Sequence, residues 1–228
     1  MTTTETFDPL RPSRATGLAG WARRSLTQAV AVLLLVLSLP LWLVVAALVR
    51  WRLGSPVFFT QPRVGLGGRV FVIRKFRTML DACGPDGAAL PDHERLTPFG
   101  RFLRRTRLDE LPQLLAIADG SMAFIGPRPL LPKTIADLGA LGTLRCQVRP
   151  GLTGWAQVNG NTALSNAEKI ALDIWYIKNK SVWSDLAILF STALVPLRGE
   201  RVNSRNVARA EADLILRHHY FARGGSRP

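Results

Sequence analysis

The chain has 228 residues and a formal charge of +14, from 30 Lys and Arg against 16 Asp and Glu, so it calls for an anionic partner. Nucleic acid, anionic lipid and a phosphorylated substrate all qualify, but an apolar content of 47% disfavours nucleic acid. Cys83 and Cys146 stand far apart and His93, His218 and His219 form no zinc signature, which excludes a disulfide framework and leaves oxygen ligands for any metal.

Residues 1–20 scatter Thr, Pro and Gly and read as a flexible tail. From Ala29 to Val49 the chain then runs 21 residues without a charge, enough to cross a bilayer as a helix. Arg23 and Arg24 precede the run and Arg50 and Arg52 follow it, so the positive-inside rule assigns both ends to the cytoplasmic side. Pro40 lies near its centre, removes the hydrogen bond to the Val36 carbonyl, and should kink the helix, with Ser38 placed to satisfy a freed backbone group. A re-entrant helix-break-helix over 21–53 fits these features. A conventional span is the main alternative, ahead of a cleaved signal peptide and a buried soluble helix.

Gly54-Ser55-Pro56 ends the helix, and Val57-Phe58-Phe59 begins a strand. A turn over 61–68 leads to a second strand over 69–76, which makes a hairpin. Residues 81–92 should be a flexible loop. The leucine spacing from Phe99 to Ala118 predicts a helix that Pro112 divides just after an acidic pair, Asp109-Glu110. A further helix begins near Lys133, and two more cover 166–178 and 184–197. The last is strongly apolar, with Trp175 and Trp183 nearby, as suits either a membrane interface or a core face.

Asp109-Glu110 ends an arginine-rich run of Arg101, Arg104, Arg105 and Arg107. Adjacent like charges raise each other's pKa unless a cation intervenes. With arginines or a metal to keep both ionised, one carboxylate can attack an electrophile while the other holds a divalent cation. Taken alone, such a pair is common and better suits a solvated helix surface answering the nearby arginines. Lys75-Phe76-Arg77-Thr78 puts two cations at a strand end, and Gly126-Pro127-Arg128-Pro129 fixes an arginine between prolines, a fork suited to phosphate. Pro150-Gly151-Leu152-Thr153-Gly154-Trp155-Ala156-Gln157 offers backbone donors, an aromatic ring and the Gln157 amide, though without a Walker or dinucleotide signature.

In this order, together with Ser55-Pro56-Val57-Phe58-Phe59 and Leu96-Thr97-Pro98-Phe99-Gly100, these blocks resemble the bacterial sugar transferase family, the monotopic phosphoglycosyl transferases. The resemblance covers about Ser25 to Gly199. Arg107 stands where the family more often has a small polar residue, and Leu39 separates Ser38 from Pro40. The resemblance implies transfer of a hexose 1-phosphate from a UDP-sugar to polyprenyl phosphate, with release of UMP, at the start of lipid-linked glycan assembly. It implies that Asp109 is the nucleophile of a phospho-aspartyl intermediate and that Glu110 binds Mg²⁺. Lys75, Arg77, Arg104, Arg128, Gln157 and Asp173 are the implied substrate and phosphate contacts, Asp173 with a structural role as its alternative.

The expected fold is α+β and mostly helical. It has a tail (1–20), a re-entrant membrane helix (21–53), a catalytic domain (54–200) with a β-hairpin and interfacial amphipathic helices, and a C-terminal helix with a basic tail (201–228). Lacking a large N-terminal multi-span region, the chain resembles the minimal catalytic unit. Expected partners are the UDP-sugar, polyprenyl phosphate and membrane lipids, with no nucleic acid and a homodimer left open. The expected site is the cytoplasmic face of the bacterial inner membrane. A non-catalytic basic membrane adaptor and a one-step transferase are the rival readings.

Overall fold

A long apolar helix opens the fold because nothing in the sequence stops it before Gly54. The computed structural model describes residues 18–84, 87–88 and 90–222, and α1 runs unbroken over Leu18–Leu53. The expected interruption at Pro40 does not occur. A proline removes one N–H from the ladder, and the 35 other residues of the helix carry it across. Ser38 Oγ donates to the Leu35 carbonyl at 3.2 Å, one residue short of the Val36 carbonyl that Pro40 leaves without its N–H. The expected tail lies outside the described residues, apart from 18–20, which begin α1.

The mostly helical chain divides into two compact units. One comprises Ala22–Arg63 and Phe71–Ser121; the other comprises Val64–Val70 and the described residues from Met122 onward, with 18–21. In the first unit, β1 (Phe58–Val64) and β2 (Val70–Phe76) pair, so the turn is tighter than expected and Gln61-Pro62-Arg63 belong to a strand. A short α2 (Asp92–Arg95) and α3 (Pro98–Arg105) follow, with Thr97 accepting from the Gly100 amide as N-cap of α3. Val45, Val49 and Leu53 of α1 form a core with Phe76 and Leu103, so the apolar helix is part of this unit's interior. Trp42, Phe58 and Phe76 add an aromatic cluster with centroid separations of 5.2–6.1 Å.

The expected helix over 99–118 breaks before the acidic pair. Arg107 takes a left-handed backbone (φ 59°), residues Leu108–Gln113 form a 3₁₀ helix, and α4 (Leu114–Ala118) continues it. Pro112 fits inside that 3₁₀ helix. A left-handed residue costs an L-amino acid roughly 1–2 kcal/mol, so Arg107 holds this conformation at a cost that Gly would not bear.

In the second unit, β3 (Ala123–Ile125) leads through α5 (Pro132–Asp137) and α6 (Ala140–Arg145) to β4 (Gly151–Thr153). The strands pair in parallel, Ala123 opposite Gly151 and Ile125 opposite Thr153, which lays the Gly-Pro-Arg-Pro turn beside the Pro-Gly-Leu-Thr-Gly loop. The Gly126 amide donates to Thr153 O and the Gly151 amide to Pro127 O, each at 2.9 Å. A Cβ on Gly151 would collide with the Gly126 amide nitrogen. Next come α7 (Trp155–Val158), α8 (Asn166–Asn179), α9 (Val182–Arg198) and α10 (Ser204–Ala222). Capping boxes at Ser165 and Ser181 start α8 and α9, and Leu172 and Ala171 of α8 pack with Val207 and Ala210 of α10.

Gly151→Ala should therefore destabilise the protein by about 1–3 kcal/mol, the usual range for overpacking, read as a lower Tm in detergent. Arg107→Gly, which removes the left-handed penalty, should raise the Tm by about 2–4 °C per kcal/mol regained.

Candidate active site

The 3₁₀ helix after Arg107 buries two carboxylates side by side: Asp109 and Glu110 are each 7% exposed. Three residues complete a 3₁₀ turn, so the two side chains diverge by about 120° and meet different neighbours. Glu110 Oε1 takes Lys75 Nζ at 2.6 Å, tying the helix to the end of β2. Asp109 Oδ1 is buried and accepts no hydrogen bond among the described residues. Burial, then the Glu110 charge, push the Asp109 carboxyl above its ordinary range, while Lys75, Arg104 and Arg107 pull it back down. Arg104 Nε donates to Thr78 Oγ1 at 3.0 Å, which steadies that guanidinium. Gln113, on the same helix, is 3% exposed, and its Nε2 finds no acceptor among the described residues.

This arrangement leaves a carboxylate oxygen without a partner among cations, suited to an electron-poor, phosphate-bearing group. Among the described residues no three Asp, Glu, His or Cys side chains cluster as a metal site. Asp109 and Glu110 nevertheless fit Mg²⁺, which usually takes one or two carboxylates and completes its shell with substrate phosphates and water.

The second unit holds the other expected contacts. Arg128 lies on the turn between β3 and α5, beside a small cavity lined by Pro127, Pro129, Arg145 and Cys146. Asp173, on α8, is 2% exposed and paired with Arg145: Nε and Nη2 reach its Oδ2 at 3.1 and 2.5 Å. Burial raises the Asp173 carboxyl, and Arg145, then Arg128, draw it down. Gln157 is buried, with neither amide atom partnered among the described residues.

Arg77, in the first unit, is engaged by other partners. Its guanidinium donates to the Leu53 carbonyl, to the Ser55 carbonyl at 3.0 Å and to Asp81 Oδ2 at 2.6 Å, capping the C-terminus of α1. Ser38 and Pro40 lie within α1, away from the carboxylates in sequence. The residue that sequence reasoning missed is Arg145, whose only signal was an arginine near the end of a short helix.

A profile of the family described as "Bacterial sugar transferase" matches residues 18–199. The chain is 44% identical over 181 residues to a protein of Bacillus subtilis (strain 168) named "Uncharacterized sugar transferase EpsL", covering 79% of this chain and 90% of that one. It is 34% identical over 203 residues to the "Exopolysaccharide production protein ExoY" of Rhizobium meliloti (strain 1021), covering 82% and 90%. It is also 41% identical over 175 residues to the "UDP-glucose:undecaprenyl-phosphate glucose-1-phosphate transferase" of Xanthomonas campestris pv. campestris, covering 72% of this chain and 36% of that protein. With a buried acidic pair held among cations and a match spanning most of its length, the chain belongs to the bacterial sugar transferase family.

Proposed function

We propose that the protein moves a hexose 1-phosphate from a UDP-sugar to undecaprenyl or another polyprenyl phosphate, releases UMP, and so begins a lipid-linked glycan such as an exopolysaccharide. As a family member it is a phosphoglycosyl transferase. The observation that carries the mechanism is Asp109 Oδ1, buried and without a partner among the described residues while Lys75 engages its neighbour Glu110.

In the first step an Asp109 oxygen attacks the sugar-proximal phosphorus. The bond from that phosphorus to the UMP oxygen breaks, and UMP leaves with the electron pair. In the second, a polyprenyl phosphate oxygen attacks the same phosphorus and the bond to Asp109 breaks, restoring the carboxylate. Lys75 and Arg104 neutralise phosphate charge beside the nucleophile, and Arg128 grips the diphosphate. Glu110 and Asp109, with phosphate oxygens, would hold Mg²⁺, which supplies Lewis-acid neutralisation when bound.

The membrane reading rests on α1 and α9. Along α1 most of the shielded positions, 28, 31, 35, 38, 42, 45, 49 and 53, fall on one stripe, with 27, 46 and 48 beside it, while Val32, Leu33, Val36, Leu37 and Leu43 stay exposed. Gln28 Nε2 donates to the Ala118 carbonyl at 2.9 Å, and Val49 packs on Phe76. Those two points lie about 30 Å apart along a straight helix, yet both touch one unit, which favours a helix whose ends stay on the same face of the bilayer. On α9, Val182, Trp183, Leu186, Leu189 and Phe190 are exposed along one side, an interfacial face. UDP-sugars are cytoplasmic, so the cytoplasmic leaflet of the bacterial inner membrane is the proposed location.

Asp109→Asn should cut UMP release about 10⁴-fold or more in the purified enzyme with a UDP-sugar and polyprenyl phosphate, the scale seen for lost nucleophiles. Unchanged release would refute the covalent route and favour an adaptor. Radiolabelled sugar phosphate should also remain on the wild-type protein when acceptor is withheld; a ternary-complex transferase would retain none.

Attack needs ionised Asp109, so kcat/KM should fall on the acid side at a pH above the ordinary carboxylate range, and Arg107→Asn should move that limb higher still. A carboxyl raised by folding contributes its stability below its unfolded pKa, about 3.9, and loses it as pH rises through the folded value. Asp109→Asn should consequently melt higher than wild type at pH 7–8, with the difference closing near pH 3 to 4.

Single cysteines placed at both flanks of 29–49 should react with an impermeant reagent from one side of an oriented membrane only. Labelling from opposite sides would establish a span instead.

A further inference from the structure

Arg145 joins two of the residues considered above through one guanidinium. Its Nη2 donates to Asp173 Oδ2 at 2.5 Å and to the backbone carbonyl of Arg128 at 2.8 Å, while Nε reaches the same carboxylate oxygen at 3.1 Å. Both side chains of the pair are nearly out of solvent, at 4% and 3% exposure. The turn they meet is also held at its flanks: the Gly126 amide bonds Thr153 O, the Pro127 carbonyl accepts from Gly151, and the Leu130 carbonyl accepts from Val64 at 3.0 Å. Pro127 and Pro129 have no N–H to offer, and the Arg145 guanidinium, by bonding the Arg128 carbonyl, restrains the rotation of the peptide between Arg128 and Pro129.

We propose that Arg145, itself oriented by Asp173, is the positioning residue for Arg128: by holding the Arg128 carbonyl it fixes the direction in which that arginine meets the diphosphate of the sugar nucleotide. A planar guanidinium suits this task because its donors stand in a rigid fork, so orienting one edge with a carboxylate orients the rest. A buried ion pair is weak evidence of added stability, since desolvation cancels much of its attraction, but it is well suited to fixing a geometry. The proposal rests on the reading of Arg128 as a phosphate contact.

A double-mutant cycle on the full chain in detergent or nanodiscs tests it, with UMP release measured against UDP-glucose, UDP-galactose and UDP-N-acetylgalactosamine and KM and kcat resolved for those that turn over. Arg145→Lys keeps a cation facing Asp173 and should retain the fold, whereas Arg145→Met leaves a buried carboxylate unpaired and serves as the severe variant. Arg145→Lys should raise the sugar-nucleotide KM about 5–10-fold with a smaller change in kcat, as loss of ground-state binding does. In an Arg128→Ala background the same change should cost less than about twofold more, because the residue it positions is already gone. Losses that multiply fully across the two sites, or a KM unchanged in Arg145→Lys, would overturn the positioning role while leaving the phosphate role of Arg128 intact. An Arg128→Ala enzyme with wild-type KM would instead overturn both.

Discussion

The Lys75–Glu110 ion pair is the contact on which the reactive half of this molecule depends. It joins the end of β2 to a six-residue 3₁₀ helix whose Leu108 and Leu111 pack on the core, and leaves Asp109 Oδ1 without a hydrogen-bond partner among the described residues. The same local charge that keeps Asp109 usable also determines what can approach it. Lys75, Arg104 and Arg107 temper the rise that burial and Glu110 impose on its carboxyl, and an anionic, phosphate-bearing group is what such a cluster attracts. On the proposed mechanism, binding preference and nucleophile activation would both come from one set of cations.

A second anchoring logic operates around Arg128. Between two prolines the backbone has little freedom of its own, yet the direction of the arginine depends on a carbonyl bonded to a buried guanidinium on another helix. The β3–β4 pairing supplies the framework, and its glycines permit it because the two loops approach too closely for any side chain. The sequence block Pro-Gly-Leu-Thr-Gly is therefore a packing requirement as well as a source of backbone donors.

Much of this is legible in the residues alone. The hairpin, the helices starting near 166 and 184, the acidic pair and the apolar run follow from periodicity and from the strong punctuation of Gly and Pro. What escaped notice has specific causes. Proline signals a boundary locally, so the sequence points to Pro112, whereas the break falls at Arg107, whose left-handed backbone depends on tertiary context. Pro40 costs α1 a single hydrogen bond, which does not by itself end the helix. The three-residue strands β3 and β4 are too short for alternation to register. Lys75 and Arg77, two apart, share a face by strand alternation, but β2 ends at Phe76, and Arg77 just beyond it turns to the carbonyls at the end of α1. Arg145 had no local signature, since its role exists only where α6, α8 and the Arg128 turn meet.

The burial of Val45, Val49 and Leu53 against Phe76 and Leu103 gives α1 two roles within one helix. Its apolar exterior resembles a detachable tether, but the end nearest the chemistry is also the floor beneath the strand that presents Lys75. Trimming the helix to make a water-soluble enzyme would open the fold from below, and exchanging it for an unrelated membrane segment would require matching three side chains to a pre-existing cavity. Tether and catalyst are constrained to change together, so variation in this helix should be freest on the faces that meet lipid and most restricted on the turn facing Phe76.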